Sequence, residues 1–237
     1  MLISDLPIID WVAFGIFLVC WLFYEPLLKT AGRPGGLINS DMTVIRIAWM
    51  RKMVGRENPL VDGQIIGQVL NSNAFFASSN LLLIAAAAGA LFNVDQTFEA
   101  ASDLEAIKTS SRTLFEMQVG LVIIALARGF LAFIWSIRQL NYTLAAIGAS
   151  PSGNKDQLGA SYAEAVARLL QPALSSFNSG VRGYYFAMAA AAWLFGPYAF
   201  MLATLGGVAL LYWRQKRSRT AKAVAEIRRL LEEQARS

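Results

Sequence analysis

One charge-free run dominates the chain. From Gly63 to Phe92 no residue is charged, and at about 1.5 Å of helical rise per residue this stretch covers roughly 45 Å, more than the ~30 Å hydrocarbon core of a bilayer. The run predicts a membrane helix over residues 66–92. Its two halves differ. Gln64, Gln68, Asn71, Ser72, Asn73, Ser78, Ser79 and Asn80 crowd the first, whereas Leu81 to Leu91 is Leu, Ile, Ala and Gly. At ~100° per residue, Gln64, Gln68, Asn71, Ser72, Ser78 and Ser79 share one broad face around Phe75, while Asn73 and Asn80 lie opposite. An unpaired amide in hydrocarbon costs several kcal/mol. Amides on two sides therefore predict a helix surrounded by protein, or by protein and a wet cavity. These eight residues form a candidate polar pathway or a structural hydrogen-bond network.

Apolar patterning elsewhere predicts further spans over residues 8–24, 114–137, 178–196 and 198–213. Trp11, Trp21 and Tyr24 bracket the first as interface aromatics, and Asp10 suits the N-terminal turn of its helix. A Gly/Pro turn over 32–36 precedes a helix over 42–55. Met42, Ile45, Trp49 and Met53 stripe that helix, with Arg46, Arg51, Lys52 and Arg56 spread around it. It reads either as an interfacial helix with snorkelling basic side chains or as a short helix packed on the bundle. Residues 93–113 read as an acidic loop. After a polar turn over 150–154, Leu158, Tyr162, Ala165, Val166 and Leu169 form the stripe of an amphipathic helix, bent or ended near Pro172. From Gly183 to Trp213 no charge occurs. That is too long for one simple span, and Gly196-Pro197 divides it. Residues 214–237 form a basic amphipathic tail with an apolar stripe of Val224, Ile227 and Leu231.

Composition agrees with a single integral membrane domain over 1–213. Hydrophobic residues make up 56% and charged residues 16% of the chain, and mean hydropathy is +0.45. The predicted class is all-α: a polytopic helical membrane bundle with amphipathic cytosolic or interfacial helices. The net charge of +5 sits beside apolar runs, which suits the lipid bilayer, with anionic lipid at the cytosolic face, rather than nucleic acid. Six basic residues fall in 29–56, two in 93–113, four in 138–182 and eight in the tail. The positive-inside tendency then places the chain in the cell inner membrane with its N-terminus out and C-terminus in. Five segments satisfy this; four remain open, because each half of 178–213 is short. The first run lacks a basic leader and a small-residue cleavage site, so it reads as a retained helix.

The run Asn58-Pro59-Leu60-Val61-Asp62-Gly63-Gln64, followed by Leu70-Asn71-Ser72-Asn73-Ala74-Phe75-Phe76-Ala77-Ser78-Ser79-Asn80, resembles an uncharacterised family of bacterial and plant membrane proteins, the domain of unknown function 599. Arg182-Gly183-Tyr184-Tyr185-Phe186 and Trp193-Leu194-Phe195-Gly196-Pro197 resemble it too. The resemblance covers most of the chain except the tail. It implies the membrane class and carries over no activity and no catalytic residues.

Chemistry is sparse. There is no histidine and one cysteine, Cys20, so intrachain disulfides, Cys-His nucleophile pairs and haem ligation by histidine are excluded. No phosphate loop, nucleophile elbow, zinc or kinase pattern is present. Glu57, Asp62 and Glu116 are acid-base candidates by residue type only. The chain is expected not to be an enzyme, with no cofactor and no metal; a pigment or quinone held by contacts stays open. Arg128 sits roughly 13 Å from the cytoplasmic end of its predicted span. Its guanidinium must find acceptors, such as the side chains of Asn71 or Asn73, backbone carbonyls, water, a lipid phosphate or a bound anion, or else snorkel to the interface. Two function classes follow: first, a small oligomeric permease or channel built on the amide-rich helix; as the alternative, a non-catalytic membrane scaffold or accessory subunit. The scaffold's basic cytosolic face and tail would bind anionic lipid or a partner protein; for the chain in general the expected partners are further copies of itself or a partner membrane protein.

Overall fold

The computed structural model describes residues 7–31, 38–102, 107, 111–151 and 157–234. Among these residues the chain is helical, without strands: α1 (Ile8–Ala31), α2 (Ile38–Val54), α3 (Leu60–Phe92), α4 (Val94–Ser102), α5 (Arg112–Gly148), α6 (Gln157–Ala191), α7 (Pro197–Lys216) and α8 (Arg219–Gln234). The all-α class read from the apolar runs is the one adopted. Two helices, α3 with 33 residues and α5 with 37, are long and apolar enough to cross a membrane. The expected turns over 32–36 and 152–154 lie outside the described residues, as do Asp103, Glu105 and Lys108 of the expected acidic loop.

Several boundaries differ from the sequence expectation. α1 continues through Pro26 to Ala31. α5 runs well beyond residue 137, and the expected loop over 93–113 contains α4. α6 neither ends at Pro172 nor starts anew after it. A proline removes one backbone hydrogen bond and crowds the preceding turn, but Leu170 and Ala173 on either side of it are fully buried, and their packing keeps the helix continuous. The interruption that does occur follows α6. Residues Ala192–Phe195 tighten into a 3-10 turn, and Gly196 takes φ 105° while its N–H donates to the Trp193 carbonyl at 2.9 Å. Only glycine adopts that backbone freely, and Pro197 then opens α7, where its missing N–H costs nothing.

The described chain forms two compact units, and α3, α5 and α6 each contribute to both. The first comprises residues 1–30, 78–131 and 180–211. Its core gathers Phe17, Leu121, Phe186, Trp193 and Phe200. Trp193 stacks on Phe200 with ring centroids 4.9 Å apart, and Phe17 sits 5.1 Å from Phe200. α5 and α6 approach closely at two glycines: a Cβ on Gly183 would lie 3.1 Å from the Gly129 Cα. Such contact between backbones is possible only where side chains are missing.

The second unit comprises residues 31–77, 132–179 and 212–237. Met50, Met53, Ile66, Leu140, Ile147, Val166 and Leu170 fill its core. The rings of Phe76, Phe133 and Phe177 meet pairwise at 5.8 Å. α2 is packed on the rest of its unit: only Ser40, Arg51 and Lys52 on it are exposed. The stripe expected on α6 is rotated. Ala163, Val166, Ala167, Leu170 and Ala173 are buried, whereas Leu158 is 66% exposed, because the inner face is chosen by the helices it meets rather than by the largest side chains. α8 packs on α2.

Candidate functional site

The N-terminus of α3 is locked by its own sequence. Asn58 caps it, its Oδ1 accepting the Leu60 N–H at 2.9 Å, and Pro59 suits the first helical turn. Asp62 in that turn is fully buried. Trp49 Nε1 donates to its Oδ1 at 2.6 Å, and Arg56 Nη1 reaches both carboxylate oxygens at 2.7 Å. Each oxygen is thus engaged, and the helix dipole favours the negative charge there. This carboxylate, an acid-base candidate by type, is held as a structural anchor between α2 and α3.

The eight polar residues of α3 separate into two groups. Asn73 and Asn80 face inward and are buried. Within the second unit, Asn73 Nδ2 donates to Ser136 Oγ at 2.9 Å, and Ser136 Oγ donates onward to the Ala173 carbonyl at 2.6 Å. One hydroxyl therefore ties α3, α5 and α6 together. Within the first unit, Asn80 Nδ2 donates to the Leu126 carbonyl at 2.9 Å. Both asparagine Oδ1 atoms are buried with no hydrogen-bond partner among the described residues. Gln64, Gln68, Asn71, Ser72 and Ser78 are exposed, as is Phe75, and Ser79 is half-buried. Ser72 Oγ turns back to the Gln68 carbonyl at 3.0 Å. Only 11% of the most apolar stretch of α3 is buried within the chain. Within its own chain, then, one face of the helix is packed and the amide-rich face looks outward.

Arg128 takes a backbone carbonyl, one of the acceptors expected for it. In the first unit it is exposed, with Nη1 donating to the Trp21 carbonyl at 3.4 Å and its guanidinium 5.1 Å from the Trp21 ring centroid. A cation–π contact thus accompanies the long hydrogen bond.

Three polar clusters were hidden in the sequence. Asp10, 4% exposed, accepts the indole N–H of Trp193 at 2.7 Å, and Gln118 Nε2 donates to the Trp193 carbonyl at 3.0 Å. Arg46 is buried against the Gln171 side-chain oxygen, and desolvation pushes its guanidinium below the usual arginine range. Asp41 is buried beside Arg228, Nε to Oδ1 3.0 Å, and Arg228 also pairs with Glu232 at 3.0 Å. Each joins residues far apart in the chain, so no local pattern points to it. Among the described residues no group of carboxylates and thiols is arranged to hold a metal ion.

Residues 12–220 match a family described as "Protein of unknown function, DUF599". The chain belongs to that family. The matched stretch of this chain includes α3, the Asn58–Asp62 anchor, Ser136 and the Gly196 break. No curated protein and no solved structure matches the chain.

Proposed function

We propose that this DUF599 chain is a multi-pass inner-membrane protein that acts as a non-catalytic scaffold, assembling through the outward amide-rich face of α3. The carrying observation is the division of labour on that helix. Asn73 and Asn80 spend their amide donors on bonds inside the chain, while Gln64, Gln68, Asn71 and Phe75 are exposed. The apolar signal of α3 runs over Phe75 to Phe92, about 27 Å of helix. The amides therefore lie near the predicted cytoplasmic boundary of the span, where hydrocarbon gives way to headgroups. Uncharged amides both donate and accept, so this face is self-complementary and fits a second copy or the polar face of a partner helix. Outward apolar side chains on α5 and α7, Leu131 and Leu202 among them, support burial in lipid, since a water-soluble monomer rarely leaves so much apolar surface uncovered.

A small oligomeric permease or channel is the second reading. It is favoured by the buried, unpartnered Oδ1 atoms of Asn73 and Asn80, which a water or solute file would satisfy. One experiment separates the two. Gln68→Cys, in a Cys20→Ser background reconstituted in liposomes, is expected to cross-link to a second copy without solute flux above empty vesicles. Flux that falls in Asn73→Leu favours the permease, and a chain that neither cross-links nor alters flux defeats both.

A further inference from the structure

We propose that the outer face of α8 is a docking surface for an anionic bilayer. α8 is not a free tail. Its inner face rests on α2, with Ala221 buried and Arg228 bound to buried Asp41. That contact fixes which side looks out, and it is not the Val224, Ile227, Leu231 stripe expected from spacing alone: Val224 and Leu231 are half-buried. The outward apolar positions are Ala223, Ile227 and Leu230, spaced i, i+4, i+7 along one line, with Ile227 46% and Leu230 55% exposed. Arg217, Arg219 and Lys222 are exposed at the N-terminal end of the same helix and just before it. Glu226 and Glu233 are the outward acids on α8; Glu233 lies 3.9 Å from Arg229.

The occupant follows from charge and from continuity with α7. An apolar line flanked by arginine and lysine matches the boundary between acyl chains and negatively charged headgroups, where the apolar side chains enter and the cations remain with the phosphates. α7 is charge-free up to Trp213, with Tyr212 and Trp213 exposed just before its basic last turn, the residues that favour that boundary. Lys216 folds back to Tyr212, Nζ to hydroxyl 3.1 Å. α8 starts three residues later, so it emerges where α7 leaves the lipid. The inference rests on the spanning reading above and adds a surface which that reading does not require.

The test uses the full chain with Cys20→Ser and Ile227→Cys, labelled with an environment-sensitive fluorophore, in nanodiscs of phosphatidylcholine with or without about a third phosphatidylglycerol. We expect a blue-shifted probe, shielded from an aqueous quencher, in anionic discs only. Raising salt from ~0.1 to ~1 M shortens the screening length from ~10 to ~3 Å and should reverse the shift, as should Arg219→Glu combined with Lys222→Glu. A probe at Arg229→Cys should stay quenched. Equal quenching in both lipids overturns the proposal; so does shielding that is already present in neutral discs or detergent, which would mean a protein contact. Alkaline carbonate tests the spanning reading separately. If carbonate releases the chain, that reading fails, and the same probe with added vesicles still decides whether α8 prefers anionic lipid.

Discussion

Ser136 shows how much one small side chain can carry. Its hydroxyl accepts from Asn73 and donates to the Ala173 carbonyl, so Ser136→Ala strands the buried Asn73 amide donor and removes the second hydrogen bond of a carbonyl that the α6 ladder still engages. A loss of about 1–3 kcal/mol is expected, the usual cost of an unsatisfied buried group, measured as thermal stability in detergent. Asn73→Leu should cost less than this if the new side chain fills the space, because it removes the orphaned Oδ1 as well. Arg128 points the other way. It is exposed, and its contacts are a long hydrogen bond and a ring face, so Arg128→Lys should shift stability by under about 1 kcal/mol. Of the acceptors expected for it, a backbone carbonyl is the kind it meets, and which carbonyl was not readable for a plain reason. Trp21 is 107 residues away in the chain, and depth along one helix says nothing about which neighbour faces it.

At the scale of elements, the glycines of α5, α6 and α7 separate contact from propensity. A Cβ at Gly183 meets the Gly129 Cα at 3.1 Å, whereas one at Gly206 meets nothing within 4 Å. Gly183→Val should force α5 and α6 apart at a cost of about 1–3 kcal/mol, while Gly206→Ala should stabilise by up to about 1 kcal/mol through helix propensity. Melting temperatures moving in opposite directions would confirm this. For α8, removing the buried acid should loosen its hold on α2: Asp41→Ala is expected to speed amide hydrogen exchange across Arg219–Gln234 with little change in α3. The apolar runs made α1, α3, α5 and α7 legible, because uninterrupted hydrophobic length has few other uses. α4 was not legible, being short, acidic and placed where a loop fits the composition. The continuity of α6 through Pro172 and the outward side of α8 were hidden for a shared cause: both are decided by packing partners elsewhere in the chain, Leu170 and Ala173 within one unit and Asp41 for α8.

At the scale of the whole molecule, what was readable is the class and the two kinds of amide on α3. The opposite placement of Asn73 and Asn80 from Gln64, Gln68 and Asn71 is a matter of helical angle alone, and it corresponds to a packed face and an open one. That the open face lies outside the chain was not readable, since the sequence cannot say whether a polar face meets the same chain or another. The division into two compact units was equally hidden, because α3, α5 and α6 pass through both without a break in their helices.

The bond between Asp10 and Trp193 spans 183 residues of chain, and this imposes an order on manufacture. At roughly 5–20 residues per second, α1 leaves the ribosome some 10–40 s before its indole partner exists. Through that interval the carboxylate has no native donor at Trp193, and neither does Gln118 have its carbonyl. Nascent chains arrested ahead of residue 193 should therefore stay in the hands of insertion machinery and fall quickly to quality-control proteolysis. Chains arrested only after a linker long enough to carry residue 200 clear of the exit tunnel, so that Phe200 can close over the indole, should persist. Pulse-chase of the two arrest lengths would measure this, and equal half-lives would mean that the first helix is secured by something made earlier.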